Sequence, residues 1–450
     1  MKLMWGTLAE TVLVEYAQSA DEGRDVKGFR DEAQMIFDMY SLGEAREGDA
    51  KDLIDRIRHA PLLPAYPYEE PSTLEDIRAA RPRSGHEAKK IDRAAYYDKV
   101  YGAWLGRCAG CLLGQPVEGW RSDRINGMMK DTGNYPAHGY FSSDVGDEIR
   151  KKYGIVDEGH VYGSNKINWI NNTSYMPEDD DTNYTILYLK TMEEYGHNFT
   201  SDNVAQSWLM NVPFLHVCTA ERVAYRNFTN MILPPLSGFW YNAYREWIGA
   251  QIRADFFGYA SPGVPERAAE YAFRDGRVSH VKNGIYGEML FAAMIAWAAA
   301  SSDMDDIIRK GLDEIPSKSR LAEGIERILD WYKQGLGWED ALAKIHGIYD
   351  ERFPHDWCHV ISNAMICITA LLWGKSDLEK TIGIAVSAGF DTDCNAATTG
   401  SIVGMIQGAS ALPGKWIDPL HNKVKSGIDG FGLVEISGLA ERTVALAFGK

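Results

Sequence analysis

Cysteine is scarce in this chain and follows no pattern. The six cysteines, at 108, 111, 218, 358, 367 and 394, lie mostly in apolar segments, and no framework of spacings predicts disulfides. That points to a reduced, cytoplasmic setting. Long hydrophobic runs are also lacking. The most apolar stretch, Met289–Ala300, is too short to cross a bilayer and reads as a core helix, so no membrane association is expected. The N-terminal segment lacks a secretory signal pattern, because the apolar stretch around Val12–Tyr16 is short and soon followed by charged residues. Basic charge is in deficit. With 47 Lys and Arg against 63 Asp and Glu, the formal net charge of −16 repels polyphosphate backbones and excludes general nucleic-acid binding.

Alternating apolar and polar runs bounded by tight turns are few. Apolar residues instead recur at three-and-four spacing through residues 8–20, 94–113, 182–196, 287–300, 319–335 and 362–374, which predicts an all-α fold. The Pro-rich stretch His59–Glu87 forbids one continuous helix and divides an N-terminal helical extension, residues 1–95, from a main domain, residues 96–450. A second stretch, Arg121–Met176, is rich in Gly, Asn, Asp and Ser and is long for a structureless loop.

Acidic residues are abundant and unevenly placed. Glu178, Asp179, Asp180 and Asp181 run consecutively where a helix begins. One or two acids there cap free N–H groups and complement the helix dipole, at about 0.3–2 kcal/mol apiece. Three adjacent aspartates repel one another, and a divalent cation would reverse that repulsion. Taken alone, the stretch leaves a solvated acidic turn and a metal site equally open. Downstream, Asp391 and Asp393 sit one residue apart among glycine and small residues, again before an apolar helix. Two such clusters together supply the four to six oxygens that Mg²⁺ or Mn²⁺ demands, which favours the metal reading.

Glycines 102, 106, 110 and 114 recur every fourth residue, as do 400, 404 and 408. Each costs about 0.5–1 kcal/mol inside a helix, so the spacing predicts a bare stripe for close helix packing. Cys108-x-x-Cys111 lies within a predicted helix without a second pair, and His355, Cys358 and His359 are equally unsupported as a zinc site.

These segments, in this order, resemble the ADP-ribosylglycohydrolase family, through Gly102–Gly119, Glu178–Thr185, Val278–Ala296, Ser362–Gly374 and Ala388–Gly408. The resemblance implies a compact all-α bundle around a dinuclear Mg²⁺ site, with Mn²⁺ as the other choice. It implies a glycosidase that cleaves the bond at the anomeric carbon of an ADP-ribosyl or ribosyl group. Asp180, Asp181, Asp391 and Asp393 align with the family's metal ligands, and Asp179 and Cys394 stand where the family more often has threonine. Cysteine is a poor partner for Mg²⁺. Cys111 likewise replaces a family aspartate, while Glu118 matches the family's following glutamate near the substrate. Glu118, Asp181 and Asp391 are the catalytic candidates. Trp240, Tyr241, His280, Asn283, Gly284, Tyr286, Gly389 and Asn395 are the pocket candidates that accompany them. The partner expected is an ADP-ribosylated protein or a small ADP-ribosyl or ribosyl conjugate. Two further readings stay open: a metal-dependent N-ribosyl hydrolase of a free nucleoside or conjugate, and an ADP-ribose-binding protein without turnover. Terpene-type diphosphate chemistry fits poorly, because the acids run Asp-Asp-Asp and no companion motif follows.

Overall fold

The close packing that the glycine spacing predicts forms the centre of the protein. In this computed structural model, which describes residues 4–82, 88–161 and 164–449, the helices Arg93–Gly114 and Thr392–Gln407 run antiparallel with their backbones in contact. A Cβ at Gly106 would stand 2.1 Å from the Gly400 carbonyl oxygen, and one at Gly400 would stand 2.2 Å from that of Gly106. Further along the register, Gly110 meets the Ala396 carbonyl and Gly114 meets Thr392 and Asp393. Asp92 starts the first helix, its carboxylate accepting from the N–H groups of Ala94 and Ala95 at 2.9 and 3.0 Å.

Around this pair, 23 α-helices among the described residues build an all-α fold, with only two antiparallel hairpins, Glu158–Val161 with Ser164–Lys166 and Lys423–Ser426 with Gly432–Glu435. Asn283–Ala298 is buried at every position, as expected of the most apolar segment. No helix of the described residues is long and apolar enough to cross a membrane. The stretch Arg121–Met176 is more ordered than its composition predicts. It holds the helices Ser122–Asp131 and Asp147–Tyr153 and the first hairpin.

Residues 8–60 build a smaller core of their own. The helices Leu8–Asp21, Arg30–Leu42 and Glu47–Arg58 bury Ala9, Val12, Ile36, Leu53, Ile54 and Ile57 together. Buried charge ties this unit to the main body: the Arg245 guanidinium donates to Glu15 and to Glu22, each within 2.9 Å, with all three side chains nearly inaccessible. The Pro-rich stretch follows as a strap, with Glu69 N–H donating to the Lys318 carbonyl and a short helix at Leu74–Ala80. Its last positions, 83–87, lie outside the described residues.

Replacing Gly106 or Gly400 with alanine forces the two backbones apart, with an expected loss of about 1–3 kcal/mol or more in urea denaturation. Gly438→Ala, where an added Cβ meets open space inside a helix, should be neutral or stabilising by up to about 1 kcal/mol. Equal responses at the two kinds of site would refute the close-packing explanation.

Candidate active site

Both aspartate clusters open helices, and the central helix pair brings those openings together. Thr392 at the head of one helix donates its hydroxyl to the Gly114 carbonyl at the end of the other, at 2.9 Å. The chain then leaves Gly114 through the short turn Gln115–Val117 and delivers Glu118 beside the acids. Asp179 caps the helix Asp180–Tyr195, accepting from the Asp181 N–H at 3.0 Å and from Gln115 Nε2 at 2.7 Å. Glu178 turns elsewhere and accepts from His216 and Asn183.

Ligand-bearing atoms of Cys111, Asp179, Asp181 and Asp393 all lie within 4.8 Å of one another, and those of Asp391, Asp393 and Cys394 form a second such group. Asp393 belongs to both. All six residues are buried. Arg107, fully buried one helical turn before Cys111, donates to Asp181 Oδ1 at 2.9 Å and pairs with Asp255 at 2.8 Å. Asp181 Oδ2, Asp391 Oδ1 and Asp393 Oδ1 are buried without a hydrogen-bond partner. An unpaired buried carboxylate oxygen is costly, and three of them on residues of two groups joined through Asp393 fit divalent cations. The electrostatics agree. Burial, and then the surrounding carboxylates, hold Asp180 and Asp393 well above the usual carboxylate range, and Asp181 is raised too in spite of Arg107. Glu118 is exposed to solvent where it lines a partly open cavity, and desolvation by the protein around it, then Asp391, Asp179 and Asp181, pushes it up to about 8.

The cavity above the acids has a volume of about 270 Å³. Glu118, Asp180, Asp391, Asp393 and Cys394 line it together with Trp5, Trp247, Trp357, Ile248 and Ile252. The loop that carries Asp391 is held in an uncommon shape, because Gly389 and Phe390 both adopt left-handed backbone, φ +69° and +53°. A Cβ on Gly389 would also collide with Glu351 and the Ser122 backbone. Asn395 braces that loop from below: its amide donates to Asn363 Oδ1 at 2.8 Å, the same oxygen that accepts from the Asp391 N–H.

The remaining pocket candidates lie away from the cavity lining. Trp240 is largely exposed, and Tyr241 packs on the small N-terminal core, its hydroxyl donating to Asp55 at 2.7 Å. Trp247, in the same aromatic cluster, is the residue that reaches the cavity. His280 is fully buried against Ser279 and Gly284. Asn283 donates to Glu70 and Glu246, while the Tyr286 hydroxyl donates to the Pro71 carbonyl, so this polar cluster clamps the strap. Cys358 points to Asp391, its thiol donating at 3.8 Å. His355 and His359 form a separate group with Asp21. Their Nδ1 atoms accept from Trp247 Nε1–H and the Ile361 N–H, so one nitrogen of each ring is already engaged within the protein. Sequence reasoning missed Arg107, whose signal was a lone guanidinium inside an apolar glycine-rich helix. It also missed Trp5, Trp247 and Trp357, which nothing in the sequence separates from other aromatics.

No curated protein matches the chain. Among solved structures, one described as an ADP-ribosylglycohydrolase-related protein complex is similar at 18% identity, over 78% of this chain and 98% of that one, with a TM-score of 0.46. A model of the ADP-ribosylglycohydrolase family matches residues 92–448. With that match spanning both aspartate clusters and most of the chain, the protein belongs to the ADP-ribosylglycohydrolase family, whose members hydrolyse glycosidic bonds and are typically metal-dependent.

Proposed function

We propose that the protein is a Mg²⁺-dependent hydrolase that cleaves the N- or O-glycosidic bond at the anomeric carbon of an ADP-ribosyl or ribosyl group. The observation that carries this reading is the set of three unpartnered buried carboxylate oxygens, on Asp391 and Asp393, which line a cavity, and on Asp181, which lies beneath its lining and shares a group of ligand atoms with Asp393. Asp179, Asp181, Asp391 and Asp393 would hold two Mg²⁺ ions, or Mn²⁺ in their place, with Asp393 shared between the two groups of ligand atoms, Asp180 added from the cavity lining, and Cys394 the weakest donor of the set toward Mg²⁺. The bound ions would neutralise the acids, orient the ribose diol and lower the pKa of water.

The chain's own side chains supply the rest. Arg107 and Gln115 hold one oxygen each of Asp181 and Asp179, which fixes the remaining oxygens in place. Hydrolysis adds water at the anomeric carbon while the bond to the leaving group breaks, and the bonding electron pair departs with that group. The water proton passes to a carboxylate, and the leaving group takes up a proton, through a transition state of oxocarbenium character. Glu118, which lines the cavity beside the acids, is the first candidate for that transfer, and Asp181 and Asp391 are the others. The cavity, at about 270 Å³, falls just below the roughly 300–1,000 Å³ typical of small-molecule sites, which suits a small ribosyl group. None of the six cysteines forms a disulfide, which suits a reducing, cytoplasmic compartment.

Incubation with a panel of ADP-ribosyl and ribosyl conjugates, with and without Mg²⁺, should release free sugar only when metal is present; no turnover on any of them would sink the proposal. Asp393→Asn should abolish that turnover and, by removing one of several crowded charges, stabilise the metal-free protein by about 0.5–2 kcal/mol. Saturating Mg²⁺ should raise the melting temperature of the wild type, through about 2.7 kcal/mol at a hundredfold excess over Kd, and leave that of the variant unmoved. Glu118→Gln should lower kcat by about 100-fold or more while keeping the Mg²⁺-induced rise, which separates proton transfer from metal binding.

A further inference from the structure

The cavity over the carboxylates is lined in part by a residue from outside the family match. Trp5 precedes residues 92–448, yet it stands in the lining with Trp247 and Trp357. Its backbone is left-handed, φ +61°, a conformation that a bulky side chain rarely adopts unless its surroundings impose it. One contact is with the ring: the Arg222 guanidinium sits 5.4 Å from the indole centroid. The chain is tied down three residues further on, where the Glu47 carboxylate accepts from the Leu8 and Ala9 N–H groups at 2.7 and 3.3 Å.

The extension reaches the cavity by a second route. Asp21, at the end of the helix Leu8–Asp21, accepts from His355 Nε2 at 3.0 Å, and His355 Nδ1 accepts from Trp247 Nε1–H at 3.2 Å. One neutral tautomer satisfies both bonds. The extension therefore supplies one indole of the lining and orients another. Its seat is firm, because Glu15 and Glu22 are both held by the buried Arg245.

We propose that the N-terminal extension completes the substrate pocket, and that Trp5 and Trp247 receive a planar heteroaromatic ring carried by a small ribosyl substrate. Indoles bind such rings by stacking and tolerate different ones, because every base has a π-face. The proposal rests on the glycohydrolase reading and names the substrate class of that same site. The ring has two possible sources, the base of a nucleoside, bonded to the anomeric carbon, and the distal adenine of an ADP-ribosyl group.

Calorimetric titration of the full-length protein in Mg²⁺ with adenosine, ADP-ribose and free ribose tests it. Trp5→Ala should weaken at least one ring-bearing ligand by about tenfold or more and leave ribose unchanged, and Trp5→Phe should restore most of the loss. A loss confined to adenosine assigns the ring to the leaving group; one confined to ADP-ribose assigns it to the distal base. Asp21→Ala should weaken the same ligand through Trp247. Unchanged affinity for both ring-bearing ligands in Trp5→Ala, or an equal loss for ribose, overturns the proposal. A retained Mg²⁺-induced rise in melting temperature shows that the variants keep the fold and the acidic site. Failure of the wild type to bind any of the three ligands would instead count against the glycohydrolase reading itself.

Discussion

The contact between two helix backbones, Gly106 against Gly400, is the constraint on which the site depends. Side chains longer than hydrogen at this register would hold the helices apart by the width of a methyl group, and every group carried at their ends would move with them. The end of one helix delivers Glu118 and Gln115, while the start of the other delivers Asp391, Asp393 and Cys394. Arg107, on the same helix as the glycines, grips the third helix start through Asp181. Three chain segments far apart in sequence thus share one reference point. The glycines lose helix propensity, about 0.5–1 kcal/mol each, and the return is positional accuracy at the carboxylates.

That accuracy matters because the assembled charges oppose one another. Gln115 and the Asp181 N–H take both oxygens of Asp179, but Arg107 satisfies one oxygen of Asp181 and stops there, leaving Oδ2 bare along with Oδ1 of Asp391 and Oδ1 of Asp393. A site built for stability would pair these as well. Buried acids without partners destabilise a fold, and they persist where the surrounding structure is strong enough to carry the strain. The left-handed pair Gly389 and Phe390, just before Asp391, belongs to the same pattern of local cost next to functional groups.

The fold class was legible in the sequence because helical periodicity and glycine spacing are local signals, and both aspartate clusters were legible because adjacent like charges have few structural uses. Assembly of Glu118 and Cys111 with them follows from the helix register, which spacing alone suggests but does not locate. The aromatic lining was not legible. Trp240, Tyr241 and Trp247 sit within one short cluster, and only the backbone path decides that Trp247 faces the cavity while Tyr241 meets Asp55. The polar run from His280 to Tyr286 misled for a related reason. Its Asn and Tyr side chains satisfy partners on the strap, Glu70 and Pro71, which sequence distance hides.

Those clamps bear on why the extension is joined by charge and hydrogen bonds. Glu15, Glu22 and Glu70 meet Arg245 and Arg320 at buried positions, where desolvation cancels much of the Coulomb gain and an apolar seam of equal area would hold as well. An apolar seam, however, tolerates sliding. Two-pronged Arg–carboxylate pairs fix direction as well as distance, and a shift of an ångström leaves charges buried and unpaired. A segment that only added stability would have no need of such registration. One that places an indole in a cavity over the carboxylates, and steers a second indole through His355, has every need of it.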